Sequence, residues 1–188
     1  MDYDKLKEIL KSRLNEKRYF HSLCVADEAK RLAEKYGADS QKAYLAGLLH
    51  DITKNTPCEE QLLFVREFGI MLDDITKASE KLWHAVTGAA YIENVLKIAD
   101  KEIINAVRYH TTAKANMTKL EKVLYLADFT SADRDYSDVD VMRRLVDISM
   151  EDAMEYALCY TINELKEKSS QIHPDTIAAY EEIMKRGK

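Results

Sequence analysis

Two prolines and five glycines in 188 residues leave little material for long irregular connections, which draw on those residues for fixed or left-handed backbone turns. The three cysteines, Cys24, Cys58 and Cys159, are isolated and odd in number, which argues against a disulfide framework and against a thiolate zinc site; they are expected to be reduced, structural thiols. No apolar run approaches the roughly 20 residues that span a bilayer. The opening Met1-Asp2-Tyr3-Asp4-Lys5 is charged and leads into an amphipathic stretch, so no secretory signal is read there and a cytoplasmic location without a membrane partner is expected. Basic clusters are absent as well. The net charge of −5 comes from 33 acidic and 28 basic residues spread along the chain, and no nucleic-acid partner is expected from it.

Leu, Ala, Glu, Lys and Ile fill the space between the few turns and favour helix, so the expected fold class is all-α. The length suits one domain with a sizeable core. Leu6, Ile9, Leu10 and Leu14 mark a first short helix, and a second runs from after Arg18 to about Tyr36, with Gly37 at its C′ position. Asp39 is the expected N-cap of a third helix, apolar nearly all round, which ends in Leu48-Leu49-His50-Asp51. Thr56-Pro57-Cys58-Glu59 reads as N-cap, proline at N1 and acidic N3 of a helix stopped by Gly69. Residues 70–80 are the least periodic, a turn and a short helix. A helix from Leu82 carries His84 at its start, one opened by Asp100 carries His110 at its end, and the capping box Thr118-Lys119-Leu120-Glu121 precedes an apolar run that ends at Asp128. Residues 131–140 are polar and acidic, hence a loop. Ser149 caps a long helix to roughly Lys168, and His173-Pro174-Asp175 starts a last one. Met154, Tyr156, Leu158, Tyr160 and Ile162 in these final helices form either core or a homodimer surface.

His21, His50, Asp51, His84, His110 and Asp128 all fall near helix ends. Helix ends gathered at one mouth of a bundle can point several side chains into one cavity, and imidazole with carboxylate suits iron, manganese, zinc or nickel. Each residue alone also has an ordinary explanation: His21 as a solvated helix-start residue, His84 packed on Trp83, His110 favoured by a helix dipole, Asp128 as a cap. Their joint placement favours a metal site, and a shared carboxylate such as Asp51 can bridge two ions.

The order His21, His50-Asp51, Asp128 resembles the HD superfamily of metal-dependent phosphohydrolases, and His84 and His110 are similar to the extra histidines of its two-metal members. Arg18-Tyr19-Phe20-His21-Ser22-Leu23, the stretch from Ala46 to Lys54, Ala106 to Thr112, Leu126-Ala127-Asp128-Phe129 with Arg134-Asp135-Tyr136, and Ile172 to Thr176 are similar, block by block, to the bacterial YqeK-type family of symmetrical bis(5'-nucleosyl)-tetraphosphatases. The resemblance covers nearly the whole chain. It implies an HD-type helical bundle in one domain over 1–188, with 149–188 a C-terminal helical extension, and symmetrical hydrolysis of diadenosine tetraphosphate to two ADP by a metal-activated water. It implies two divalent ions, iron first, with manganese, zinc, nickel or magnesium as alternatives. His21, His50, Asp51 and Asp128 then hold one ion, and His84 and His110, with a bridging Asp51, hold the second. Lys54 meets substrate phosphate and shares the catalytic role with Asp51; Arg18, Arg134 and Thr111 complete the contacts to a dinucleoside polyphosphate or nucleoside diphosphate. His173 is read as a helix-start residue outside the site. The rival expectations are another HD-type nucleotidase or phosphodiesterase, and a nucleotide-sensing helical module with negligible turnover.

Overall fold

A computed structural model describes residues 2–185 and contains eleven helices and no strand among them. Helix α1 (Tyr3–Arg13) starts where the Asp2 carboxylate accepts from the Lys5 amide at 3.1 Å. Helix α2 (Glu16–Tyr36) is capped by Asn15 and ends at Gly37, whose φ of 69° is the left-handed conformation that glycine adopts without penalty. Asp39 caps α3 (Ser40–Leu49) by accepting from the amides of Gln41 and Lys42. Helices α4 (Cys58–Glu67), α5 (Asp74–Ala78), α6 (Glu80–Asn94) and α7 (Lys101–Tyr109) follow, then α8 (Lys119–Thr130) behind the expected capping box of Thr118 and Glu121. The chain closes with α9 (Val139–Ile148), α10 (Met150–Glu167) and α11 (Pro174–Lys185).

Helices α2, α3, α7 and α8 pack on one another as the centre, with α6 laid against α7 and α4. Leu32, Leu48, Leu49, Leu124, Leu126 and Leu158 are among the fully buried side chains of the shared core. Helices α3 and α2 approach closely at Gly47. A Cβ at Gly47 would lie 2.7 Å from the Ala26 Cα and 2.9 Å from its nitrogen, so the two backbones touch where only a hydrogen fits. That contact sets the end of α3, with His50, against the first half of α2, with His21.

Four elements differ from the sequence reading. Helix α2 begins at Glu16, ahead of the expected start after Arg18. Helix α4 begins at Cys58 with Pro57 beside it and no side-chain cap; the Thr56 hydroxyl instead accepts from Arg13 Nη2 at 3.0 Å, because Arg13 reaches over from α1 and also donates to the Ile52 carbonyl. Helix α6 begins at Glu80, two residues ahead of Leu82. Helix α9 occupies a stretch for which no element was expected; it buries Val139, Met142 and Val146 on one stripe and lies on α8 and α10. Of the residues poised between core and dimer surface, Met154, Leu158 and Ile162 are core, and the Tyr156 hydroxyl donates to Asp138 at 3.0 Å. Residues 149–185 hold α10, which packs on α8, α9 and α11, and α11; residues 186–188 of the expected extension lie outside the described ones. No helix among the described residues is long and apolar enough to cross a membrane.

Gly47→Ala should force α2 and α3 apart at the backbone, costing about 2–3 kcal/mol as overpacking does. Thermal denaturation should show a Tm lowered by roughly 5–10 °C; an unchanged Tm would show that the helices slide freely.

Candidate metal centre

The helix ends converge as the spacing suggests. His50 terminates α3 and Asp51 stands in the turn after it; His110 terminates α7, Asp128 lies in the last turn of α8, and His21 and His84 lie in the second turns of α2 and α6. All four imidazoles and Asp51 are buried. The Thr53 hydroxyl donates to the His84 carbonyl at 2.9 Å and so joins the turn carrying Asp51 to the start of α6.

Asp51 uses its two oxygens differently. Oδ1 is 3.2 Å from His84 Nε2 and 3.8 Å from His110 Nε2; Oδ2 is 3.5 Å from His50 Nε2 and accepts from Arg18 Nη1 at 3.0 Å. On the second side His21 Nε2 lies 2.9 Å from Asp128 Oδ1, and His50 Nε2 lies 3.9 Å from the same oxygen. Donor atoms thus fall into overlapping groups, His21 with His50 and Asp51, His50 with His110 and Asp128, and Asp51 with His84 and His110, each spanning no more than 4.8 Å.

Several details fit a cation. The Nδ1 atoms of His50 and His110 donate to the carbonyls of Gly47 (2.7 Å) and Val107 (2.6 Å), and His21 Nδ1 is 2.8 Å from the Asp133 carboxylate. Such bonds fix the tautomer and leave the Nε2 lone pair free, as in histidines that bind metal. His50 Nε2 is buried with no hydrogen-bond partner at all, an arrangement that costs free energy unless something electropositive meets it. The Nε2 atoms of His84 and His110 face each other at 3.2 Å, about the separation of neighbouring ligands on an ion bonded at roughly 2.1 Å. The cluster therefore suits a divalent metal.

The electrostatics agree. Burial pushes the His50 and His84 imidazoles down to about 4, so both are neutral and ligand-competent near pH 7. Burial works against the Asp51 and Asp128 carboxylates too, but the imidazoles around Asp51, and Arg134 with His21 and His50 around Asp128, outweigh it and hold both well below the usual carboxylate range. His21 is the exception among the shifted imidazoles: burial lowers it, yet Asp128 and Asp133 raise it more.

Cations rim the cluster. Burial pulls the Lys54 amine below the usual lysine range; its Nζ lies 3.1 Å from His84 Nε2. Arg134 donates from Nε to the Asp128 carbonyl at 2.6 Å and from Nη2 to its carboxylate. Lys17, Arg18, His21, Asp133, Arg134 and Tyr136 are in the wall of a cavity of about 260 Å³. Thr111 is elsewhere. It lines two further cavities, neither of which shares a residue with this one, and its buried hydroxyl has no partner. His173 bonds Asp73 at 3.1 Å, and its Nδ1 accepts from the Asp175 amide in the first turn of α11, away from the cluster.

Two residues of the centre escaped the sequence reading. Asp133 orients His21, and Arg143 of α9 donates to the carbonyls of Thr130, Ser131 and Arg134, clamping the loop that carries Asp133 and Arg134. A buried ligand-type histidine calls for an Nδ1 acceptor, but the acidic loop offers Asp133, Asp135 and Asp138 equally, and spacing does not choose among them.

Asp133→Asn should weaken metal affinity by about 10–100-fold in chelator competition; an unchanged affinity would show that His21 needs no such support. In the metal-free protein, His50 and His84 contribute stability above their unfolded value near 6.5 that is lost as pH falls toward 4, whereas His21, shifted upward, contributes below that value. The two large downward shifts outweigh it, so the metal-free Tm should be lower at pH 4.5 than at pH 7.5, and a higher value at pH 4.5 would contradict the burial argument.

The HD domain family model matches residues 18–133, a span that includes all six clustered residues. The chain is similar to the symmetrical bis(5'-nucleosyl)-tetraphosphatase of Halalkalibacterium halodurans, 35% identical over 98% of both chains. It is also similar to that of Bacillus subtilis, 35% identical over 96% of both. Among solved structures, a predicted HD superfamily hydrolase involved in NAD metabolism from Clostridium acetobutylicum superposes with a TM-score of 0.95 at 35% identity, covering 99% of this chain and 98% of that one. Matched in the helices that carry the cluster and along nearly its whole length, the chain belongs to the HD domain family, in the branch of the symmetrical bis(5'-nucleosyl)-tetraphosphatases.

Proposed function

We propose that this protein hydrolyses dinucleoside tetraphosphates at the central anhydride, converting diadenosine tetraphosphate and water into two ADP. The observation that carries the reading is the buried Asp51 carboxylate, its two oxygens facing different imidazoles, with Arg18 on one oxygen and Lys54 beside His84. The names of the full-length relatives support the substrate class. His21, His50, Asp51 and Asp128 would hold one divalent ion, and His84, His110 and the shared Asp51 a second; the four imidazoles and two carboxylates suit iron, manganese, zinc or nickel. Iron stays first on the resemblance of the sequence blocks. Such ions supply Lewis-acid polarisation of phosphoryl oxygens and a water acidic enough to act near neutral pH.

The chain's own groups do the rest. Arg18 and Arg134, now paired with Asp51 and Asp128, stand in or beside the cavity where a nucleoside diphosphate half would lie, and both are fixed guanidinium forks suited to phosphate. Lys54 adds a third cation with a half-dehydrated ammonium, which strengthens its attraction for a phosphoryl oxygen. In the reaction a water oxygen bonds one central phosphorus, the central P–O bond breaks, and the bridging oxygen leaves with the second ADP. Cytoplasmic placement belongs to the same reading and is supported by three free thiols.

Product analysis with diadenosine tetraphosphate should yield ADP alone, and AMP with ATP would overturn symmetrical cleavage. Asp51→Ala should abolish both metal loading and turnover. Lys54→Ala should lower kcat/KM by about 10–100-fold, as loss of one charge-assisted contact in a dry site does, while the metal content measured by mass spectrometry stays normal; loss of metal would show that Lys54 serves the metal cluster instead.

A further inference from the structure

Lys54 stands in the chain between α3 and α4, in the middle of a run of tight turns: the amides of Ile52, Lys54 and Thr56 donate to the carbonyls of Leu49, Asp51 and Thr53 at 3.1, 2.8 and 3.0 Å. Such local bonds curl the segment without tying it to the rest of the molecule. The ties come from two sides. On the inner side the Thr53 hydroxyl donates to the His84 carbonyl and Gln61 Nε2 to the Thr56 carbonyl, both at 2.9 Å. On the outer side the Asn15 amide donates to the Asn55 side chain at 3.0 Å, and Arg13 of α1 holds both shoulders of the turn. Its Nε donates to the Ile52 carbonyl at 3.3 Å and its Nη2 to the Thr56 hydroxyl at 3.0 Å. Ile52 and Thr56 are the residues two before and two after Lys54.

Arg13 is itself fixed in place. Its Nη2 lies 3.2 Å from the Glu60 carboxylate, its guanidinium stands 4.4 Å from the centre of the Tyr91 ring, and only 19% of its side chain is exposed. A planar guanidinium presents its donors in a rigid fork, so two acceptors bound to it are held at a set separation, which a lysine ammonium does not achieve. Lys54 has no comparable restraint of its own. Its Nζ lies 3.1 Å from His84 Nε2, and it forms no ion pair among the described residues, so the place of its ammonium follows from the backbone that carries it. A displacement of about 1 Å at such a group costs on the order of 100-fold in rate. The hydrogen-bonding partners of Arg13 are Ile52, Thr56 and Glu60, none of them in the metal cluster.

We infer that Arg13 is a positioning residue for Lys54: by bracing Ile52 and Thr56 it holds the lysine where the ammonium meets substrate phosphate beside His84. The inference rests on the reading of Lys54 as a phosphate contact given above. A double-mutant cycle tests it, with Arg13→Met removing the fork and keeping most of the stem. With Lys54 present, Arg13→Met should lower kcat/KM for diadenosine tetraphosphate about 10-fold at normal metal content; in the Lys54→Ala background the same change should cost less than about 2-fold, because residues that act through one another are not additive. Losses that simply multiply overturn the inference, as does loss of metal in Arg13→Met. Where Arg13→Met does not fold, Arg13→Lys, which keeps a cation beside Tyr91 but no fork, takes its place in the cycle. Hydrogen exchange read by mass spectrometry supplies a measure independent of turnover: the variant should exchange about 10-fold faster in residues 51–56, the effect of one charge-assisted bond lost, with α8 unchanged, and equal exchange in that turn overturns the inference. Failure of the parent reading shows in proteins that keep Arg13, as no ADP from the wild type or a Lys54→Ala variant of full activity, while the exchange measurement still reports whether Arg13 braces the turn.

Discussion

Everything in the functional half of this molecule depends on the burial of one carboxylate, Asp51, among imidazoles. A carboxylate removed from water is costly unless its charge is met; here Arg18 meets one oxygen, and a cation held by the Nε2 atoms of His84, His110 and His50, which lie 3.2, 3.8 and 3.5 Å from the Asp51 oxygens, would meet the rest. The arrangement demands that α3 and α7 end, and α6 begin, at one place and that α2 pass close beside them. Gly47 allows the close passage of α2, Thr53 ties the Asp51 turn to α6, and the apolar α3 gives the turn a rigid mount.

The second carboxylate, Asp128, extends the same logic outward. It is satisfied by His21 and Arg134, His21 is oriented by Asp133, and the loop bearing Asp133 and Arg134 is clamped by Arg143 from α9. Helix α9 lies beyond the span matched by the HD model, yet it steadies the loop that finishes the site. The buried cluster is polarised in one sense: carboxylates ionised, the two deepest shifted histidines neutral, cations at the rim. That distribution favours polyvalent cations inside and polyanions at the mouth, the pairing that phosphoryl hydrolysis requires.

His50, His110 and Asp128 were legible in the sequence because local signals announce their helix ends: the Asp39 and Asp100 caps, the Thr118 capping box, and apolar runs that stop at these residues; His21 and His84 stand one turn inside α2 and α6. The sequence was silent where the answer depends on tertiary reach. Thr56 looked like a cap, but Arg13 arrives from 43 residues away to take its hydroxyl. Asp133 could not be told from its acidic neighbours, and α9 was hidden behind the polar loop that precedes it. Thr111 illustrates the same limit: adjacency to His110 suggested a shared pocket, whereas the backbone turns after the helix end and places its side chain against a different cavity.

The central claim is that Asp51 is shared by two ions. Anomalous diffraction from crystals of the protein loaded with manganese without oxygen tests it most directly. Two peaks about 3.5–4 Å apart are predicted, one near His21, His50 and Asp128, the other near His84 and His110, with Asp51 between them. A single peak, or two peaks of which only one contacts Asp51, would contradict the account.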